Sequence, residues 1–217
     1  MTAGQYDPPF EKEEFDDRVT RTRAAMAEFD LDALVVTDPA NMTYLTGYES
    51  WSFYVPQAVV VARAREQPVW VGREMDMFAA RATTYLSDAD VKGYGDDYVQ
   101  SADDTHPMDF LAAVLDDIGV AAGRVGVEMD AYYYTAFADD RLREGLPEAT
   151  VTDATLLVNQ LRLEKSDREL TYVRQAAQLS DLAITTAIDE MAPGVRESVV
   201  MGEVFRTLIG GTDTFGG

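Results

Sequence analysis

The stretch Leu31–Tyr48, LDALVVTDPANMTYLTGY, decides the fold. Its first half, Leu31 to Thr37, is apolar and β-branched, which predicts a buried strand. Asp38 and Pro39 then set a helix start, a capping side chain followed by proline at the first helical position. Gly47 sets the stop. A buried strand feeding directly into a helix is the building unit of an α/β domain, and the flanking sequence repeats it.

Upstream, Phe15, Val19, Thr22, Met26 and Phe29 fall at steps of four, three, four and three, one face of an amphipathic helix. Downstream, QAVVVARA and PVWVGR predict two strands, joined by the polar link Arg65-Glu66-Gln67. EMDMFAARATTYL predicts a helix, DADVKGYG a weak strand and HPMDFLAAVLDDIG a helix with Phe110, Leu111, Val114, Leu115 and Ile118 on one side. RVGVEMD predicts a strand, TAFADDRLREGL a helix and ATVTDAT a last short strand. This alternation predicts an α/β class, a sheet covered by helices.

Beyond residue 155 the pattern turns helical almost throughout. Ser166 and Glu169 form an S-x-x-E capping box, so a helix starts there. Leu170, Val173, Ala177, Ile184, Ile188 and Met191 line one of its faces, and Pro193-Gly194 ends it. A further helix, Arg196 to Ile209, carries Val199, Val200, Val204 and Leu208. These two helices have apolar faces that they cannot bury alone, so the expectation is a first domain over 1–160 and the start of an incomplete second over 161–217.

The 217 residues are 47% hydrophobic and contain no cysteine, which excludes disulfides and thiolate metal sites. No apolar run is long enough to cross a membrane, and the acidic N-terminus has no apolar signal-peptide segment. Cytoplasmic residence is the default expectation. Acids outnumber bases 39 to 18, for a formal net charge of −21. Phosphate binding needs cationic patches, so a nucleic-acid partner is not expected. A basic partner, a halophile-like surface screened by salt and an ordinary acidic protein all fit the charge. The scatter of the acids along the chain favours the halophile-like surface.

Familiar catalytic constellations are absent. His106 is the single histidine and precedes a proline at a helix start, a place for a capping or solvated side chain. No H-x-x-x-H spacing, phosphate-binding glycine loop or P-loop lysine occurs. One loop stands out: in Gly47–Gln57, GYESWSFYVPQ, the aromatics Tyr48, Trp51, Phe53 and Tyr54 fall within seven residues. Such side chains combine apolar area with polar tips and are common at binding surfaces. An aromatic plug at the end of the sheet is the alternative.

In combination these stretches resemble the creatinase/prolidase family. LDALVVTDPANMTYLTGY is similar to a segment near the start of its N-terminal domain. RLEKSDRELTYVRQAAQLSDLAI is similar to the joint into its second domain, and MAPGVRESVVMGEV to the next turn and helix. GYESWSFYVPQ and GTDTFGG point to an ectoine-hydrolase-like branch, where the second stretch lies early in the catalytic domain. The resemblance implies a mixed sheet flanked by helices, followed by the first helices of a truncated α+β pita-bread domain.

It further implies a two-domain C–N bond hydrolase, an Xaa-Pro peptidase or an ectoine-hydrolase-like enzyme acting on a small molecule or short peptide. Family peptidases hold a divalent metal pair (Mn, Co or Zn) through two aspartates, a histidine and two glutamates downstream of this chain. Creatinases work without metal. No catalytic or metal residue therefore carries over, and the chain alone is expected to be inactive. Family members form homodimers in which the loop after the helix-ending glycine reaches the partner's active site. Carried over, Tyr48, Trp51, Phe53 and Tyr54 become the candidate substrate-binding residues. Creatinases place an arginine in this loop, but here no Lys or Arg lies between Arg23 and Arg63, which argues against creatine. A small cyclic or zwitterionic cation suits an aromatic box better. The other reading is a non-catalytic, protein-binding member of the family.

Overall fold

The computed structural model describes residues 8–100 and 105–217. The N-terminal segment read as lacking a signal peptide lies partly outside these, at residues 1–7. The chain divides into two compact units, one through Leu163 and one from Glu164.

The first unit opens with α1 (Lys12–Glu28), β1 (Ala33–Val36) and α2 (Pro39–Thr46). β2 (Ala58–Ala62), β3 (Val69–Arg73), α3 (Met77–Thr83), β4 (Val91–Tyr94) and the short α4 (Asp97–Gln100) follow. α5 (Pro107–Asp117), β5 (Arg124–Val127), α6 (Ala136–Gly145), β6 (Thr150–Asp153) and α7 (Leu157–Leu161) complete it. Among the described residues the strands form one six-stranded sheet in the order β4-β3-β2-β1-β5-β6. β2 runs antiparallel to β1 and β3, and the other pairings are parallel. The sheet is therefore mixed, with helices on both faces.

Period-two alternation sorts the strand side chains between two apolar layers. Ala33, Val35, Val60, Val125 and Val127 point to the layer filled by Leu111 and Leu115 of α5 and Leu142 of α6. Leu34, Val36, Val59, Val61 and Trp70 point to the other, filled by Val19 and Met26 of α1, Met42 and Leu45 of α2 and Val158 of α7. A strand with both faces covered reads as an unbroken apolar run, which is why 33–36 and 58–62 are buried throughout.

Two local expectations need correction. α1 ends at Glu28 and leaves Phe29 59% exposed, because the chain turns at Asp30 with φ 53°. The helix expected over 74–86 is a 3₁₀ turn at Glu74–Asp76 followed by α3 alone. Gly93 of the neighbouring strand lies so close to Glu74 and Met77 that an added Cβ would sit 2.9 Å from the Glu74 Cα. After residue 155 the helical structure breaks between Leu161 and Asp167, where the capping box places a new helix start.

The second unit holds α8 (Asp167–Glu190) and α9 (Glu197–Gly210). Ser166 caps α8 through the expected box: its Oγ accepts from the Glu169 amide at 3.2 Å, and the Glu169 carboxylate accepts from the Ser166 amide at 2.8 Å. Of the two helices only Ala183 is buried, and Val173, Ile184, Ile188, Met191, Val199 and Phe205 are exposed. No helix among the described residues is long and apolar enough to cross a membrane.

Candidate binding site

The parallel strands β1, β5, β3 and β4 all end at the same edge of the sheet, and antiparallel β2 begins there. The connection from β1 crosses to one side of the sheet and that from β5 to the other. In open α/β sheets the crevice at such a switch point is where ligands bind. The aromatic loop lies at this edge, between α2 and the start of β2.

Local chemistry fixes its entry. The Asp38 carboxylate accepts from the Asn41 amide at 3.1 Å, and Gly47 closes α2 with φ 79°. A Cβ on Gly47 would meet the Phe15 ring and the Thr83 carbonyl at 3.1 Å, so only glycine fits without displacement. The exit is held by Gln57. Its Oε1 accepts from the Ser52 amide at 3.1 Å, and its Nε2 donates to Asp76 at 2.9 Å. The Tyr94 hydroxyl, with its pKa pushed up by burial, donates to the Pro56 carbonyl.

The four candidate residues separate. Tyr48 is fully buried, tilted against Trp70 at 5.3 Å between ring centroids, and burial raises the pKa of its phenol. Trp51, Phe53 and Tyr54 are 53%, 70% and 69% exposed. Trp51 and Phe53 meet edge to face at 6.2 Å. Arg73 donates to the Tyr54 hydroxyl at 2.7 Å while its Nε binds Asp96 at 2.7 Å. That hydrogen bond holds the Asp96 carboxyl below its ordinary range and the Arg73 guanidinium above its own.

A cleft of about 430 Å³ opens beside the loop, lined by Phe53 to Pro56, by His106 and by Tyr132, Tyr133 and Thr135 of the β5–α6 connection. Tyr133 meets Trp51 at 6.2 Å, and Tyr132 meets Tyr133 at 5.3 Å, both edge to face. His106 is the N-cap of α5: its Nδ1 accepts from the Met108 amide at 3.2 Å, and burial lowers its pKa. Sequence reading passed over Tyr132 and Tyr133. Their signal was the run Tyr132-Tyr133-Tyr134 within the strand-to-helix connection that follows β5.

A feature without a local sequence signal is Glu128, buried just beyond the end of β5. Its carboxylate accepts from the Thr37 and Asp38 amides at 2.8 and 2.9 Å and from the Asn41 side chain at 2.6 Å. Asn41 also donates to Asn159 at 2.8 Å and accepts from Arg162 at 2.7 Å. Desolvation raises the Glu128 pKa, and these hydrogen bonds only partly offset it. The network ties the β1–α2 turn to β5 and α7, beneath the edge that carries the aromatic loop.

Among the described residues, no group of three or more His, Asp or Glu is placed to hold a metal ion. The geometry offers aromatic faces on a loop anchored at both ends.

The comparisons with known proteins agree with this architecture. The model of the creatinase/prolidase N-terminal domain matches residues 18–163. An uncharacterized hydrolase/peptidase of Sinorhizobium fredii is 41% identical over 208 residues, covering 96% of this chain and 53% of its own length. The ectoine hydrolase of Halomonas elongata is 41% identical over 208 residues, covering 95% of this chain and 52% of that enzyme. The Xaa-Pro dipeptidase of Bacillus anthracis superposes with a TM-score of 0.67 at 20% identity, over 89% of this chain and 48% of its own, a likeness of fold. The chain thus spans about half the length of the curated relatives it matches. Sheet order, flanking helices and sequence identity together make this chain a member of the creatinase/prolidase family, carrying its N-terminal domain.

Proposed function

We propose that this chain is the substrate-capping and dimerising portion of a C–N bond hydrolase, with residues 164–217 beginning its catalytic domain. The observation that carries the reading is the set Trp51, Phe53 and Tyr54, more than half exposed on a loop whose two ends are fixed by Gly47 and Gln57. Large aromatic side chains left in water on a rigid frame cost hydrophobic free energy unless something covers them. A substrate held against a partner subunit's catalytic domain would cover them.

Among the described residues no group fits the metal pair that the family resemblance implies, so no hydrolytic step is assigned to them. Their work is binding, orientation and exclusion of water. An ectoine-type ring or an Xaa-Pro dipeptide suits aromatic walls, and the 41% identity to an ectoine hydrolase supports the first. The test is steady-state hydrolysis of ectoine and of an Xaa-Pro dipeptide by the full-length enzyme carrying Trp51→Ala and Phe53→Ala. The proposal expects kcat/KM to fall by about tenfold or more, the loss of one to two aromatic contacts. Unchanged KM and kcat in both variants would remove the capping role.

A further inference from the structure

We propose that the recognition surface is built by two loops, with Tyr132 and Tyr133 of the β5–α6 connection as specificity residues that complete an aromatic box for a cationic group. The inference rests on the reading above that the 47–57 loop meets the substrate, and it assigns the opposite wall.

Phe53, Trp51, Tyr133 and Tyr132 form an unbroken chain of edge-to-face contacts, with interplanar angles of 76°, 66° and 84°. Successive rings tilted by 66° to 84° present their faces in more than one direction. Tyr132 is 79% exposed, although it lies against a ring neighbour and beside a formed cleft. The two loops come from opposite sides of the β1/β5 switch point, which lets them face a common occupant.

Charge selects the occupant. Among the described residues, no Lys or Arg lines the cleft. His106, which does, uses Nδ1 as an acceptor and therefore stands there as a neutral ring. Arg73, which donates to the Tyr54 hydroxyl, is matched by Asp96. An anion would find no side-chain cation free to meet it in this cleft. A cation would find ring faces, whose quadrupoles attract it, in the field of a chain with a net charge of −21. The chemistry is that of an alkylammonium or a ring amidinium, and about 430 Å³ accommodates a small ring.

The test uses tetramethylammonium as the probe and ligand-observed proton NMR on the 217-residue chain, at constant ionic strength set with sodium chloride. This readout does not depend on Trp51 as a fluorophore. Tert-butanol, of similar shape and neutral, is the control. Saturable binding of tetramethylammonium, and none of tert-butanol, is expected. Tyr132→Leu, Tyr133→Leu and Trp51→Ala should each weaken it about threefold or more, while Tyr132→Phe and Tyr133→Phe retain it. Thermal melts check folding, and Tyr132→Leu, at an exposed position, remains informative if Tyr133→Leu unfolds.

Weakening by Trp51→Ala with full binding in both leucine variants would overturn the second wall and leave the 47–57 loop standing. Equal binding of tert-butanol would overturn the cationic assignment. Absence of binding in the wild-type chain, or indifference to Trp51→Ala, would overturn the aromatic box, while the capping role is decided separately by the kinetics of the full-length loop variants.

Discussion

At the scale of single residues, Gly47 and Glu128 set the frame of the site. Gly47 has φ 79°, and an added methyl would press on Phe15 and on the Thr83 carbonyl. Gly47→Ala is expected to cost about 1–2 kcal/mol, seen as a lower urea midpoint with an unchanged m-value. An unchanged midpoint would show that the loop entry is not held as described. Glu128 satisfies two backbone amides and Asn41, so Glu128→Ala should cost about 2–4 kcal/mol by leaving buried donors unpaired. Its pKa is raised by burial from an ordinary 4.5. A carboxyl that is harder to ionise when folded gives its full stabilisation below the unfolded value and loses it as pH climbs through the folded value. The melting-temperature gap between wild type and Glu128→Ala should therefore be wider at about pH 5 than at about pH 7.5, and a gap that widens toward neutrality would contradict the raised pKa. The Gly47 stop was legible because the helix end it closes is local: its amide donates to the Thr43 carbonyl four residues back. Glu128 was not, because the amides it binds lie some ninety residues away.

At the scale of elements, the cap of α8 is the clearest case of a signal that local spacing carries alone. Both halves of the Ser166–Glu169 box form, four residues from end to end. Ser166→Ala should cost about 1 kcal/mol and speed amide exchange across the first turn of α8, with little effect on the sheet. Protection that stays level in that turn would mean that the cap contributes nothing. Strand identities were equally readable, since 33–36 and 58–62 are apolar runs buried on both faces. The split of 74–83 into a 3₁₀ turn and α3 was not, because it follows from the approach of Gly93 and the bond from Gln57 to Asp76, both set by tertiary structure. The aromatic loop was legible as a cluster. Its division into buried Tyr48 and exposed Trp51, Phe53 and Tyr54 was not, since Trp70 and the β5–α6 tyrosines arrive from other elements.

At the scale of the whole molecule, a net charge of −21 acts against compaction, and screening by salt relieves that repulsion. Raising potassium chloride from about 0.1 M to about 1 M should raise the melting temperature, and a flat or falling trend would remove the halophile-like reading of the surface. The same scale holds the central claim, that the exposed aromatic loop of one subunit caps the catalytic site of its partner. It is tested most directly by mixing two full-length proteins. One carries Trp51→Ala and Phe53→Ala with an intact catalytic domain. The other has an intact loop and an inactivated catalytic domain. Random pairing of subunits should restore activity toward about a quarter of the wild-type level, because mixed dimers unite one good loop with one good site. Activity no greater than the average of the two unmixed proteins would contradict capping between subunits and, with it, the role assigned to this chain.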